Sequence, residues 1–353
     1  MDESMAGVLE RPGEIRRRGG ALLEALEAFP EGCREGVRLG EEAELQGLEG
    51  LKPRFIVVAG MGGSAMGGLL LRDWLLDSST PVYVSAGYHL PGFVDDETLI
   101  MVVSYSGNTE ETLSAFEEAV ERGCPILTVT SDGALERLSE GRGIPLIKLP
   151  VGLKPRASLP QQFFSMAAAL RRIGVDAPWH EVEEAIGILE ELKPKLTPEA
   201  PPEENEAKAL ALKLRGFIPH IYAPRRLGAV AYRFRTQLNE NSKLPACSTP
   251  LPEGFHNAVM GREGPGELLS RIAAIILRDP GEESRLRDRI DAFRRLLGER
   301  FGRVLELWAW GGGLLSRMLS ALYIGDYTSV YLALLYGFDP STTESIEILK
   351  RVG

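Results

Sequence analysis

Three hydroxyl side chains and a glycine lie close together within residues 104–112 (SYSGNTEET). A fully apolar, strand-like segment (98–103) precedes them, and an amphipathic, helix-like segment (113–120) follows. The first N–H groups of a helix have no partner within the helix and lie at the positive end of its dipole, so such a turn can bind an anion. The hydroxyls would add neutral hydrogen-bond donors, and they belong to Ser104, Ser106 and Thr109.

An ordinary helix cap is the alternative for the same residues. Ser106 or Thr109 would then be the N-cap, with Glu110 and Glu111 in the first helical turn. Two carboxylates beside an anion site normally count against that site. The sequence of this turn alone therefore does not distinguish a helix N-cap from an anion-binding site.

A second turn of the same kind lies upstream. Residues 55–59 predict a buried strand, residues 60–68 (GMGGSAMGG) form a glycine-rich loop, and an apolar helix follows at 69–75. Glycine lets the backbone approach a ligand closely. No acidic residue ends the next strand (81–85), which argues against a dinucleotide site, and the absence of a Gly-Lys-Ser/Thr motif excludes a nucleotide P-loop.

Strand and helix patterns alternate around both turns. Strands are predicted at 55–59, 81–85, 98–103, 125–130 and 145–149. This alternation predicts a parallel, doubly wound sheet covered on both faces. In such sheets ligands bind beyond the carboxyl ends of the strands, which is where both turns would lie.

The second half of the chain repeats the alternation. Strands are predicted at 220–223, 271–277 and 304–308, and helices at 227–238 and 318–336. The predicted organisation is a helical arm (1–50), an α/β domain (51–152), a helical linker (153–204) and a second α/β domain (205–353), and the proline-rich residues 193–202 are predicted to connect domains. Two such domains with a cleft between them are typical of an enzyme with a small ligand.

Composition narrows the class of protein. The chain has 353 residues and a formal net charge of −10, which argues against binding to nucleic acid or an anionic membrane. We expect no signal peptide, because the chain starts Met-Asp-Glu-Ser, and no transmembrane segment, so the expected location is the cytoplasm. The isolated Cys33, Cys124 and Cys247 suggest neither disulfides nor a zinc site.

The two loops together, 60–68 and 104–112, resemble the phosphosugar-binding signature of sugar isomerase (SIS) domains. Residues 239–246 (NENSKLPA) followed by 251–257 (LPEGFHN) look like the bifunctional phosphoglucose/phosphomannose isomerases, and the C-terminal residues 337–350 are similar to the end of that family. The similarity covers the chain from about residue 50 to its end. The sequence departs from the family pattern at Leu69, Phe255 and Ala258.

The resemblance implies two SIS-type, flavodoxin-like domains and an aldose–ketose isomerase. Its substrates would be glucose 6-phosphate, and also mannose 6-phosphate, each interconverted with fructose 6-phosphate through a cis-enediol(ate). Such a reaction needs a base, a group that opens the sugar ring and stabilisation of the enediolate charge. It needs no metal or other cofactor, and no metal-ligand spacing is present.

The resemblance also implies roles for individual residues. Glu240, flanked by amide side chains, takes the place of the catalytic base, and His256 would open the ring from the partner subunit of a homodimer. Arg156 would stabilise the enediolate, and Lys350 would be a second positive group. Thr343 fits the threonine linked to acceptance of both C2 epimers, with Thr342 an equal candidate. The phosphate would be held by Gly62, Gly63, Ser64, Ser104, Ser106 and Thr109.

Each of these residues also has a structural alternative. Glu240 could be a solvated residue at a helix end, His256 a structural loop histidine, and Arg156 and Lys350 surface cations. Two further functions stay open: a non-catalytic sensor of phosphosugars, and an isomerase of an amino- or pentose phosphate.

Overall fold

The computed structural model describes the backbone of residues 3–350 and the side chains of residues 7–349. In chain order the helices are α1 (Pro12–Glu27), α2 (Phe29–Glu42), α3 (Gly63–Trp74), α4 (Glu110–Glu121), α5 (Ala134–Arg142), α6 (Leu159–Ile173), α7 (Glu181–Leu196), α8 (Glu206–Leu214), α9 (Gly228–Glu240), α10 (Gly266–Leu269), α11 (Ser284–Gly298), α12 (Leu314–Leu335) and α13 (Glu344–Lys350). The strands are β1 (Phe55–Ala59), β2 (Val82–Ser85), β3 (Thr98–Val103), β4 (Ile126–Thr130), β5 (Leu146–Lys148), β6 (Ile218–Pro224), β7 (Cys247–Leu251), β8 (Ile272–Arg278) and β9 (Arg303–Trp308). Short 3₁₀ helices cover Glu3–Glu10, Arg225–Leu227, Glu253–Phe255 and Ala258–Glu263.

These elements form two compact units. The first unit comprises residues 28–182, and the second comprises residues 3–27 together with 183–350. Helix α1 lies in the second unit and α2 in the first, so the residues predicted as one helical arm are divided between the units. The domain boundaries expected from the sequence stay a prediction.

The first unit is built on a five-stranded sheet. All its strands are parallel, in the order β2-β1-β3-β4-β5, which is the flavodoxin-like order. The strands β3 and β4 are buried along their whole length, as their apolar sequences predict for central strands covered on both faces. The predicted strands of this half are confirmed, with ends that shift by one residue.

The second unit has a four-stranded parallel sheet in the order β7-β6-β8-β9. Both sheets therefore confirm the predicted fold class. The strand β7 was not predicted, because its sequence (CSTPL) contains a proline and polar residues and reads as a loop. Proline is tolerated in edge strands, where its missing N–H faces no partner, and β7 is an edge strand.

Helix α12 is the long apolar helix of the second unit. It is long and apolar enough to cross a membrane by length and composition, contrary to the expectation that no stretch would be. Its entire most apolar window is buried inside the protein, and the core helix of a globular domain has the same properties.

The predicted connector at 193–202 begins too early. Helix α7 continues through Pro194 to Leu196. A proline inside a helix costs roughly 3 kcal/mol, but Leu192 and Leu196 are both buried. Burying two leucines contributes about 1.5–3 kcal/mol each, which offsets that cost.

Candidate functional site

The two predicted anion-binding turns lie side by side. They follow β1 and β3, which are hydrogen-bonded neighbours in the sheet of the first unit. The N–H of Tyr105 in one turn donates to Ser64 Oγ in the other at 3.1 Å. Ser64 and Ser104 are both buried. The structure thus brings the glycine-rich loop and the hydroxyl loop together through a direct hydrogen bond.

The hydroxyls of the second turn do not cap helix α4. Thr109 occupies the N-cap position, but its side chain makes no capping hydrogen bond. It accepts instead from Ser104 Oγ at 3.1 Å. Ser106 Oγ accepts a long hydrogen bond of 3.4 Å from the N–H of Asn108. Thr109 is thus the N-cap by position, with Glu110 and Glu111 in the first turn as the cap alternative predicts, but its hydroxyl does not make the capping hydrogen bond.

Glycine is required where this turn folds against the next one. Gly107 has a φ of +65°, and a Cβ there would lie only 1.7 Å from the carbonyl oxygen of Asp132. No L side chain could be accommodated at that position without rebuilding both turns. The glycine thus fixes the shape of the loop that presents the hydroxyls.

Arg156 lies beside the glycine-rich loop of the same unit. A Cβ on Gly63 would come within 2.9 Å of the backbone nitrogen of Arg156. Arg156 is only 5% exposed, which excludes the alternative of a solvated surface arginine. The turn that carries it is held by the carbonyl of Pro155, which accepts from Ser158 Oγ at 3.0 Å and Gln162 Nε2 at 3.1 Å.

In the second unit, the glycine turn that precedes α12 binds the carboxylate of Glu184. The glycines before α12 donate to Glu184, from Gly312 N–H at 2.6 Å and from Gly313 N–H at 3.1 Å. The Gly312 N–H bond is the main reason that the pKa of Glu184 lies below its ordinary value. The chain's own carboxylate thus fills this turn, whereas the N-cap residues of α3 and α4, Gly62 and Thr109, make no side-chain capping hydrogen bond.

Glu240 is the last residue of α9 and is half-buried. The residues after it are anchored to α12. Asn241 Nδ2 donates to Ser329 Oγ at 2.9 Å, and Ser242 Oγ donates to the Ser329 carbonyl at 2.6 Å. The amide of Asn239 donates to the Leu244 carbonyl at 2.7 Å. These bonds fix the backbone from which the Glu240 carboxylate extends.

Lys243 joins this turn to the loop before α13. Its ammonium group donates to the carbonyl oxygens of Glu240 and of Thr342, the latter at 2.8 Å. Lys243 is the one non-glycine with a positive φ (58°) in the described part of the chain. The structure therefore brings the Glu240 turn next to the loop that carries both candidate threonines.

The hydroxyls of the two candidate threonines both have internal partners. Thr343 Oγ1 donates to Glu347 Oε1 at 3.3 Å, and Thr342 Oγ1 donates to the Asp339 carbonyl at 3.1 Å. These contacts do not favour one threonine over the other. The backbone of Lys350 ends α13, but its side chain lies outside the described residues.

His256 lies in a loop between two short 3₁₀ helices. It is exposed, and its imidazole has no hydrogen-bond partner among the described residues. The preceding Phe255 packs its ring 5.4 Å from that of Phe293 and lies under Arg289 at 4.7 Å. Phe255 and Ala258, two departures from the family pattern, both pack against the core of the second unit and so anchor this loop.

Two residues that hold the candidate residues of their own units could not be found from the sequence. The sequence predicts no role for Tyr105 or for Lys243. Their partners lie as far as 48 residues away for Tyr105 and 99 residues away for Lys243. No local pattern signals contacts of that range.

The fold and its two turns define a chain built from SIS domains. A model of the SIS domain matches residues 51–140, and a model described as the bacterial phospho-glucose isomerase C-terminal SIS domain matches residues 203–352. A hypothetical protein of known structure from Thermus thermophilus has the same fold, with a TM-score of 0.76 at 19% identity over 99% of this chain and 95% of its own.

Sequence relatives define the family more closely. A bifunctional phosphoglucose/phosphomannose isomerase from Caldicellulosiruptor bescii is 36% identical over 333 residues, which are 94% of this chain and 98% of the relative. Another from Aquifex aeolicus is 38% identical over 299 residues, which are 84% of this chain and 89% of the relative. The chain belongs to the bifunctional phosphoglucose/phosphomannose isomerase family.

Proposed function

We propose that this protein is an isomerase that interconverts glucose 6-phosphate and mannose 6-phosphate with fructose 6-phosphate. The observation that carries the proposal is the pair of adjoining turns at α3 and α4, joined through Ser64 and Tyr105. The N-cap residues of these two helices make no side-chain capping hydrogen bond. Membership of the family supplies the reaction. A phosphate dianion satisfies such N–H groups and hydroxyls without a cationic side chain.

The phosphate is held by the hydroxyls and backbone of the two turns. These residues are Gly62, Gly63, Ser64, Ser104, Ser106 and Thr109. Burial of Ser64 and Ser104 removes competing water from the oxygens they contact, which strengthens each hydrogen bond to the dianion.

Glu240 is the base that moves the proton between the two carbons. In the aldose-to-ketose direction its carboxylate removes the proton from C2, and the electron pair forms the C1–C2 double bond of the enediol(ate). The carboxylic acid then returns the proton to C1, and the O2 proton passes to O1, so that O1 becomes a hydroxyl as the C2 carbonyl forms. The anchoring of Asn241 and Ser242 on Ser329 supports this role, because a base must be held at a fixed distance from the carbon.

Three further residues complete the reaction. His256 donates a proton to the ring oxygen and accepts one from the C1 hydroxyl, which opens the ring. The Arg156 guanidinium stabilises the negative charge of the enediolate. Lys350 is a second positive group, and Thr343 or Thr342 leaves room for rotation about C1–C2, which lets both epimers react.

The assembly and location belong to the same proposal. The active protein is a homodimer in which His256 serves the site of the partner subunit, and it acts in the cytoplasm on a small sugar phosphate, without nucleic acid, membrane or cofactor. The net charge of −10 supports the exclusion of polyanionic partners.

A coupled assay on three substrates tests the function. Turnover of glucose 6-phosphate and mannose 6-phosphate, with fructose 6-phosphate as product, is expected. Turnover of glucosamine 6-phosphate alone would assign a different sugar phosphate. Thermal stabilisation by all of these compounds without turnover of any would indicate a phosphosugar sensor and would contradict the proposal.

A further inference from the structure

We propose that Tyr105 is a positioning residue that sets the place of Arg156 relative to the phosphate-binding turns. Tyr105 lies between Ser104 and Ser106 and is only 6% exposed. The inference rests on the proposed function, because Arg156 is the residue there that stabilises the enediolate.

The backbone of Tyr105 belongs to the phosphate-binding part of the first unit. Its N–H donates to Ser64 Oγ at 3.1 Å, which ties it to the glycine-rich loop. Its carbonyl accepts from Ser131 N–H at 3.0 Å and from Ser131 Oγ at 2.6 Å. Both sides of its backbone are therefore fixed within the sheet edge that carries the two turns.

The side chain of Tyr105 extends to a different segment. Its hydroxyl donates to the Pro150 carbonyl at 2.7 Å and accepts from the Leu153 N–H at 2.9 Å. One phenol oxygen thus closes the chain reversal between those two residues, in which Gly152 has a φ of +96°.

Arg156 follows this chain reversal by three residues. Hydrogen bonds also hold the backbone between Leu153 and Arg156, because the Lys154 carbonyl accepts from the N–H groups of Ala157 and Ser158 at 2.9 and 3.1 Å. On its other side Arg156 packs against Gly63. A shift of Leu153 is therefore transmitted to Arg156 rather than absorbed between them.

The consequence concerns the transition state more than the bound substrate. Phosphate contacts come from the turns, which keep their own hydrogen bonds when the phenol oxygen is removed. The enediolate charge forms only during the reaction, and displacement of a catalytic group by about 1 Å can cost on the order of a hundredfold in rate. Loss of the Tyr105 hydroxyl is therefore expected to lower kcat and to leave KM nearly unchanged.

The test compares Tyr105→Phe with Arg156→Ala and with the double variant. For glucose 6-phosphate we expect Tyr105→Phe to lower kcat by roughly 10- to 100-fold with KM within about twofold, and to cause no further loss in the Arg156→Ala background. Tyr88→Phe is the matched control, because Tyr88 also loses a hydroxyl hydrogen bond, to exposed Glu110 at 3.4 Å, and should keep full activity.

Several results would overturn the proposal. A wild-type kcat in Tyr105→Phe would overturn it, and so would wild-type activity of Arg156→Ala. A fall of the same factor in the presence and absence of Arg156 would also do so, because it would show a structural role independent of the guanidinium.

Hydrogen–deuterium exchange separates this inference from the proposed function. The Leu153 amide should exchange faster in Tyr105→Phe than in the wild type or in Tyr88→Phe, and the neighbouring amides up to Ser158 should follow. Unchanged exchange would overturn the link between Tyr105 and the Arg156 turn. A wild type that turns over no sugar phosphate would instead overturn the proposed function, and the exchange result would still decide whether Tyr105 holds the turn.

Discussion

The Tyr105 N–H donates to Ser64 Oγ at 3.1 Å, so a single hydrogen bond joins two turns that are 41 residues apart in the chain. The acceptor is a side chain and the donor is backbone. A hydroxyl that accepts from the backbone still has its own proton to donate to a ligand. Ser64 therefore connects the turns and, in the proposed site, keeps a donor for the phosphate.

Removal of the Ser64 hydroxyl should weaken phosphate binding. Ser64→Ala is expected to raise KM for glucose 6-phosphate by roughly tenfold or more, since a hydrogen bond to a charged group contributes about 1.5–3 kcal/mol. Steady-state kinetics measures the change. Ser139→Ala, which removes another buried hydroxyl bonded to the Leu135 carbonyl of its own helix, should leave KM unchanged. An unaltered KM in Ser64→Ala would exclude Ser64 from the phosphate site.

Phe255 should be needed for the order of the His256 loop. Phe255→Ala removes the ring that packs on Phe293 and beneath Arg289, and we expect a loss of about 1–3 kcal/mol in unfolding free energy together with a lower kcat. Denaturant unfolding and kinetics measure the two effects. Phe93→Ala, which truncates a 40% exposed ring of the first unit, should leave kcat intact. Full activity of Phe255→Ala would show that the loop needs no such anchor.

Subunit mixing tests whether His256 acts in the partner's site. Glu240→Gln and His256→Gln proteins, each inactive alone, are dissociated, mixed in equal amounts and reassembled. A shared site predicts recovery of about a quarter of wild-type activity, because half of the dimers are mixed and each of those contains one intact site. No recovery, with mixed dimers demonstrated by a tag, would place Glu240 and His256 of one subunit in the same site.

His220 should make stability depend on pH. Burial lowers the pKa of His220 from 6.5 to about 4. The unfolded chain therefore takes up the proton first as the pH falls, so this contribution to stability is complete above about pH 6.5 and is lost between pH 6.5 and 4. His220→Gln should reduce the fall in Tm between pH 7 and 4.5, whereas His89→Gln, which changes a largely exposed imidazole, should not. Equal slopes for wild type and His220→Gln would contradict this.

The sequence predicts the candidate site best where polar, chemically functional residues directly follow a strongly apolar strand. The hydroxyl and glycine turns follow strongly apolar strands, so their position at the sheet edge followed from the alternation of strands and helices. Strand β7 was missed because a proline-containing edge strand has little apolar pattern, and the end of α7 was missed because buried leucines outweigh the proline.

The hydrogen bonds that position the candidate residues cannot be predicted from the sequence, for a different reason. The bonds of Tyr105 to Pro150 and Leu153, and of Lys243 to Thr342, depend on how separate segments pack. Such contacts leave no periodicity in the sequence. The sequence alone could therefore suggest candidate functional residues, whereas the residues that position them could be identified only from the structure.

Glu240→Gln tests the central proposal most directly. The variant keeps the size and shape of the side chain but replaces the basic carboxylate with a neutral amide, so isomerisation of glucose 6-phosphate should fall roughly 10²- to 10⁴-fold. Deuterium from heavy water should no longer enter the substrate at C2, while sugar phosphates should still raise the Tm. Glu24→Gln, on the exposed side of α1, should behave as the wild type. Wild-type turnover and deuterium incorporation in Glu240→Gln would contradict the assignment of Glu240 as the base.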